Sequence, residues 1–158
     1  MAPYSFVTTW RFDAPIDRVW DVIRDYRAWP RWWPAIQEAK QIARGDAGGV
    51  GELAEFTFRT RLPYKVRFFM TTTHVRAPYE IDGNAVGELE GTGRWRLTAE
   101  GGETRVQYFW DVRTTRWWMN VLAPVARPAF QWNHDQVMES GREGLARLLA
   151  QSPAGASA

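Results

Sequence analysis

His74 and His134 are the only histidines in the chain, and there is no cysteine. Thiolate nucleophiles, disulfides and cysteine-ligated metals are therefore excluded, and two histidines so far apart in sequence make a poor basis for a zinc site. Gly91-Thr92-Gly93 lacks the third glycine of a dinucleotide fingerprint and opens no predicted helix. No Gly-x-Ser-x-Gly or phosphate-loop sequence occurs. General acid–base chemistry needs titratable groups that converge on one substrate atom. Strand alternation sends Glu55, Asp82 and Asp111 away from the apolar faces, and Glu88 and Glu90 lie beside glycines that blur the alternation. Asp135 follows His134 directly, about 100° round a helix, so the two cannot share one face. What remains is His134, a lone polar group in an apolar stripe. Such a group either hydrogen-bonds within a core or orients a ligand's hydroxyl or carbonyl, with Asn133 placed to assist. His74, near a strand end, is a weaker candidate.

The elements that must position His134 follow from periodicity. Residues 4–12 alternate, with Tyr4, Phe6, Thr8, Trp10 and Phe12 on one face. Asp13-Ala14-Pro15 reads as a helix start, with Asp13 near the cap and Pro15 in the first turn. Ile16, Val19, Trp20 and Ile23 then give helical spacing to about Asp25. The prolines of Trp29-Pro30-Arg31-Trp32-Trp33-Pro34 allow at most a short second helix. Strands are expected near 35–43, 50–61, 64–75, 79–86, 93–99 and 104–114, parted by Gly- and Pro-bearing turns that imply antiparallel neighbours. After Thr115 the period becomes helical. Residues 116–123 read as a short apolar helix broken by Pro124 and Pro128. A long helix then runs to about Ala150, with Phe130, His134, Val137, Met138, Gly141, Leu145 and Leu148 on one face. Residues 1–150 are expected to form one domain and 151–158 a disordered tail.

Alternation also selects the inward side chains of the strands: Phe56 and Phe58; Val66, Phe68 and Met70; Trp95 and Leu97; Val106, Tyr108, Trp110 and Val112. The chain carries 10 Trp, 8 Phe and 5 Tyr, an aromatic load suited both to core filling and to lining a ligand site. Its formal charge is only +2, with 20 basic and 18 acidic residues intermixed, which argues against a dedicated nucleic-acid surface. Neither a secretory signal nor a run of roughly 20 apolar residues is present, so the cytoplasm is the expected compartment. Trp117, Trp118, Met119, Val121 and Leu122 form an apolar segment that either packs under the sheet or acts as a lid or transient membrane contact.

The element order, strand, two helices, six strands and a long helix, resembles the START-like helix-grip superfamily (SRPBCC), which includes the birch-pollen allergen, polyketide cyclases and lipid-transfer domains. The segment Asp13 to Ile23 is similar to that family's first helix and Trp29 to Pro34 to its second. Gly91-Thr92-Gly93-Arg94-Trp95 and Trp132-Asn133-His134-Asp135 resemble a bacterial branch labelled polyketide cyclase/dehydratase-like. The resemblance spans roughly residues 4–150 and implies an α+β helix-grip fold. In it, a curved seven-stranded antiparallel sheet wraps the long C-terminal helix around an apolar cavity, and two short helices lie between strands 1 and 2. It further implies that Phe56, Phe58, Phe68, Met70, Trp95, Tyr108, Trp110, Phe130, His134 and Val137 face a ligand.

The first functional expectation is binding or transport of a hydrophobic small molecule such as a lipid, quinone or polyketide-like aromatic, with no cofactor, metal or nucleic-acid partner. The alternatives are a polyketide cyclase or dehydratase in which His134 and Tyr108 move protons, and a regulator that contacts a partner protein, as a related co-chaperone branch does.

Overall fold

A computed structural model describes residues 3–61 and 63–151. Strand β1 (Pro3–Phe12) is followed by helix α1 (Ile16–Arg24), a single 3-10 turn (Tyr26–Ala28) and the short helix α2 (Trp29–Trp32). Six strands follow: β2 (Ile36–Ala43), β3 (Leu53–Arg59), β4 (Lys65–Arg76), β5 (Glu80–Gly87), β6 (Leu89–Glu100) and β7 (Glu103–Thr114). Helix α3 (Trp117–Gln151) ends the described chain. The strands form one antiparallel sheet in the order β1-β7-β6-β5-β4-β3-β2, so β1 crosses over to pair with the last strand while each later strand pairs with its neighbour in sequence. This is the expected α+β helix-grip arrangement. The tail expected at 152–158 lies outside the described residues.

Alternation along each strand divides the sheet into two faces. Trp95, Leu97, Val106, Trp110 and Val112 are buried on the concave side. The convex side carries cross-strand ion pairs such as Arg96–Asp82, Arg113–Glu90 and Arg105–Glu100. Intermixed charge in the sequence thus becomes a solvated ladder on the outer surface. Glu55 is buried although it points outward, because the Arg67 side chain covers it and pairs with it. Strand β6 begins at Leu89, four residues before the strand expected at 93–99. Gly91 makes the extension feasible: its φ is +151°, and a Cβ there would sit 2.0 Å from the Asp111 carbonyl oxygen of β7.

At the start of α1 the expected capping role of Asp13 is not observed. Pro15 is the capping residue, its carbonyl accepting from the amides of Arg18 and Val19 at 3.1 and 3.2 Å, and no side chain caps the helix. Helix α2 is fixed by its tryptophans. The Trp29 indole N–H donates to the Ile23 carbonyl at 3.0 Å, and that of Trp33 donates to the Val137 carbonyl of α3 at 2.8 Å. Two glycines on α3 let α2 approach this closely. A Cβ on Gly141 would lie 2.6 Å from Trp33 Cε2, and one on Gly144 only 1.6 Å from the Trp32 carbonyl oxygen.

Helix α3 differs from expectation. It is one 35-residue helix that contains Pro124 and Pro128, rather than a short helix, a break and a long one. Proline's fixed φ is helical, so it removes one hydrogen bond and strains the preceding turn without forbidding helix. The carbonyls it frees lie on an exposed stretch where water can reach them: Val121, Leu122, Val125 and both prolines are exposed. Near the helix end Leu149 is buried and Leu148 only partly so, a one-residue rotation from the expected face.

Candidate functional site

Between the concave sheet face and α3 lies a cavity of about 260 Å³. Its walls are aromatic because the inward positions of β3, β4, β6 and β7 carry ring side chains at period two. Phe68 lies centrally, with ring centroids 5.8 Å from Phe56, 5.5 Å from Phe58 and 5.5 Å from Trp110. Tyr108 stacks on Trp95 at 4.1 Å and runs nearly parallel to Trp110 at 5.7 Å. Trp29 and Trp33 close the side under α2. Burial pushes the Tyr108 phenol well above its ordinary value and keeps it protonated. All ten residues singled out from the sequence (Phe56, Phe58, Phe68, Met70, Trp95, Tyr108, Trp110, Phe130, His134 and Val137) line this cavity. Leu97 and Val106, inward by the same alternation, are core residues outside its lining.

One end of the cavity is polar, built by β1, α3 and the segment joining β3 to β4. The His134 imidazole lies parallel to the Phe6 ring, centroids 3.9 Å apart. Both its nitrogens are buried without a hydrogen-bond partner, as is the Tyr4 hydroxyl. Asp135 Oδ1 stands 3.6 Å from His134 Nδ1, beyond hydrogen-bond reach, and its carboxylate points to solvent. Desolvation outweighs this weak attraction and lowers the His134 pKa from 6.5 to about 4. The imidazole is therefore neutral at physiological pH, one nitrogen a donor and the other an acceptor. Neighbouring Asn133 is engaged elsewhere: its Oδ1 accepts from the Arg61 amide at 3.2 Å and its Nδ2 donates to the Tyr64 hydroxyl at 3.4 Å. Asn133 thus anchors the β3–β4 segment to α3, and neither of its hydrogen bonds goes to His134.

Tyr26, Glu52 and Thr72 stand among the lining residues contributed by the 3-10 turn, the segment before β3 and β4. Asp82 also borders the cavity, while its carboxylate is held by Arg96 on the convex side, the outward position expected of it. His74 bonds Glu80 on the surface, apart from the cavity. Tyr26, in the 3-10 turn, had no alternation to assign it a facing, whereas Tyr64 shares the parity of Val66, Phe68 and Met70 in the strand expected at 64–75 and lies just before the observed start of β4 at Lys65. Among the described residues no cluster of three or more histidine, cysteine or acidic side chains is placed to hold a metal.

A curved antiparallel sheet around a C-terminal helix, with an apolar cavity between them, defines a START-like helix-grip fold. Residues 3–150 match the family model described as polyketide cyclase / dehydrase and lipid transport, and the chain belongs to that family. Among solved structures it is similar to the protein TTHA0849 from Thermus thermophilus, at 20% identity over 95% of this chain and 100% of that one, with a TM-score of 0.80. The Zhui aromatase/cyclase from a Streptomyces species aligns at 14% identity over 95% of each chain, with a TM-score of 0.77. A START superfamily protein from Mycobacterium smegmatis aligns at 17% identity over 93% of this chain and 97% of that one, with a TM-score of 0.76. At such identities the likeness concerns the fold. A search of curated proteins finds no match.

Proposed function

We propose that the chain is a binding or carrier protein for a hydrophobic, largely planar small molecule with one hydroxyl or carbonyl group. The observation that carries this reading is the pairing of an aromatic-walled cavity with unpartnered polar atoms on His134 and Tyr4 at one end. Buried polar atoms without partners are costly, roughly 1–3 kcal/mol each, and a ligand that supplies the missing hydrogen bonds removes that cost. Facing rings favour flat apolar ligands through stacking. Polyketide-like aromatics and quinones fit this description best, and the family description, which joins cyclases with lipid transport, supports the same class.

Catalysis is the second reading, favoured by the neutral imidazole inside the cavity and by the likeness to an aromatase/cyclase. A base with a pKa of about 4 is poorly matched to proton abstraction at neutral pH, which ranks binding ahead of chemistry. The reading is tested by incubating the purified protein with 2-naphthol and following its melting temperature. A midpoint that climbs steadily with probe concentration is expected. A midpoint unmoved at every concentration would remove the carrier and cyclase readings together and leave a regulator that uses the fold to contact a protein.

A further inference from the structure

The first half of α3 turns an apolar stripe away from the protein. Trp117 is 75% exposed, Val121 67%, Val125 80% and Trp132 47%. At roughly 100° per residue these four positions fall within an arc of about 80°, with Pro124 and Pro128 beside them. Met119, Ala123 and Phe130, on the opposite side of the same turns, are buried. The helix is therefore apolar on both faces here, and only one face is covered.

Arg116 and Arg113 beside the stripe are paired with Glu88 and Glu90, at 2.8 and 3.2 Å, so the cationic excess there comes from the β3–β4 segment. No acidic residue occurs between Asp111 and Asp135, a stretch that carries Arg113, Arg116 and Arg127. None occurs between Glu55 and Glu80 either, where Arg59, Arg61 and Lys65 are exposed and make no ion pair among the described residues. The two segments are joined. Tyr64 packs edge-on to Trp118 and to Phe130 at 5.7 and 6.4 Å, Arg61 is tied to Asn133, and the Arg116 guanidinium reaches the Lys65 carbonyl at 2.5 Å. An exposed tryptophan-bearing stripe edged by cations matches the two halves of a bilayer interface: apolar chains for Trp117, Val121 and Val125, anionic headgroups for Arg59, Arg61 and Lys65. A protein partner would need a fixed complementary shape. A bilayer needs only this ordering of apolar and cationic groups.

We propose that the outer face of α3 from Trp117 to Trp132, with the β3–β4 segment, docks on an anionic lipid surface. Among the described residues no helix is long and apolar enough to cross a membrane, so the contact is peripheral. Docking would place the polar end of the cavity, walled by Tyr64, Phe130 and His134, directly behind the lipid-facing surface. The docking surface stands whatever the cavity holds, because none of Trp117, Val121 and Val125 lines it.

The test is sedimentation of the intact protein with vesicles of equal phosphatidylcholine and phosphatidylglycerol, against vesicles of phosphatidylcholine alone. Anionic vesicles are expected to bind at least about tenfold more tightly, and added salt to weaken the binding. Trp117→Ser with Val125→Ser, and separately Arg61→Glu with Lys65→Glu, should each lower vesicle affinity by about tenfold or more while 2-naphthol still shifts melting as in the parent. Val121→Ser with Leu122→Ser supplies a second apolar pair should the first fail to fold. No binding to anionic vesicles, equal binding to neutral ones, or variants that bind like the parent would overturn the proposal. So would a parent protein that is dimeric by light scattering and becomes monomeric in the Trp117/Val125 variant, since that assigns the face to a second copy of the chain.

Discussion

The His134 imidazole and the Phe6 ring are stacked with centroids 3.9 Å apart and planes 10° from parallel. Phe6 comes from the first strand and His134 from the last helix, so the contact closes the sheet onto the helix at the cavity's polar end. A neutral ring is the form suited to this position, because a charged imidazolium would lose its water without gaining a partner.

Linkage turns that into a stability profile. Above about pH 6.5 the ring is neutral in both folded and unfolded chains. Between 6.5 and about 4 the unfolded chain takes up a proton that the folded chain refuses, so the His134 contribution to stability falls as the pH falls. The total loss is roughly 3 kcal/mol, complete below pH 4. Urea unfolding of the parent and of His134→Leu across pH 4–7 should show the parent losing about that much relative to the variant. A difference constant with pH would mean that the imidazole is solvated in the folded protein. A difference of opposite sign would mean that Asp135 holds it charged.

Gly144→Ala should be far more damaging than an alanine usually is in a helix. The added carbon would meet the Trp32 carbonyl group, which is backbone and cannot swing aside. A loss of about 3 kcal/mol or more in urea unfolding is expected. Gly48→Ala, where the nearest atom is a side-chain oxygen at 3.5 Å, should stay within about 0.5 kcal/mol of the parent. Equal effects at the two sites would contradict the close approach of α2 to α3.

Trp110→Ala removes a ring that borders both Phe68 and Tyr108. The expected loss of stability is about 3 kcal/mol, at the low end for tryptophan because the ring already faces empty space. The enlarged cavity should bind 9-phenanthrol more tightly than the parent does, relative to 2-naphthol. Fluorescence titration of both probes reads this ratio, and an unchanged ratio would show that Trp110 does not limit the cavity.

Strands and their inward faces were legible because alternation is local: Phe56, Phe68, Trp95 and Trp110 face the cavity by parity alone. The curvature that leaves space instead of filling it depends on contacts distant in sequence, such as Trp33 against Gly141, and only the family resemblance suggested it. Prolines misled, since Pro124 and Pro128 read as breaks where tertiary packing of Met119, Ala123 and Phe130 carries the helix through. Buried Asn133 looked like a partner for His134, and only the fold shows that Arg61 and Tyr64 occupy it. Tyr64 carried a local signal that went unused, since it is in phase with Val66, Phe68 and Met70; Tyr26, in the 3-10 turn, carried none.

Ligand binding through His134 is tested most directly by calorimetric titration of parent and His134→Leu with 2-naphthol and with naphthalene at pH 7. For the parent we expect one site per chain, with 2-naphthol bound about tenfold more tightly than naphthalene because its hydroxyl meets the unpartnered imidazole. In His134→Leu that preference should vanish while naphthalene binds as before. A parent that binds neither compound, or a preference for 2-naphthol that survives the substitution, would contradict a cavity whose polar handle is His134.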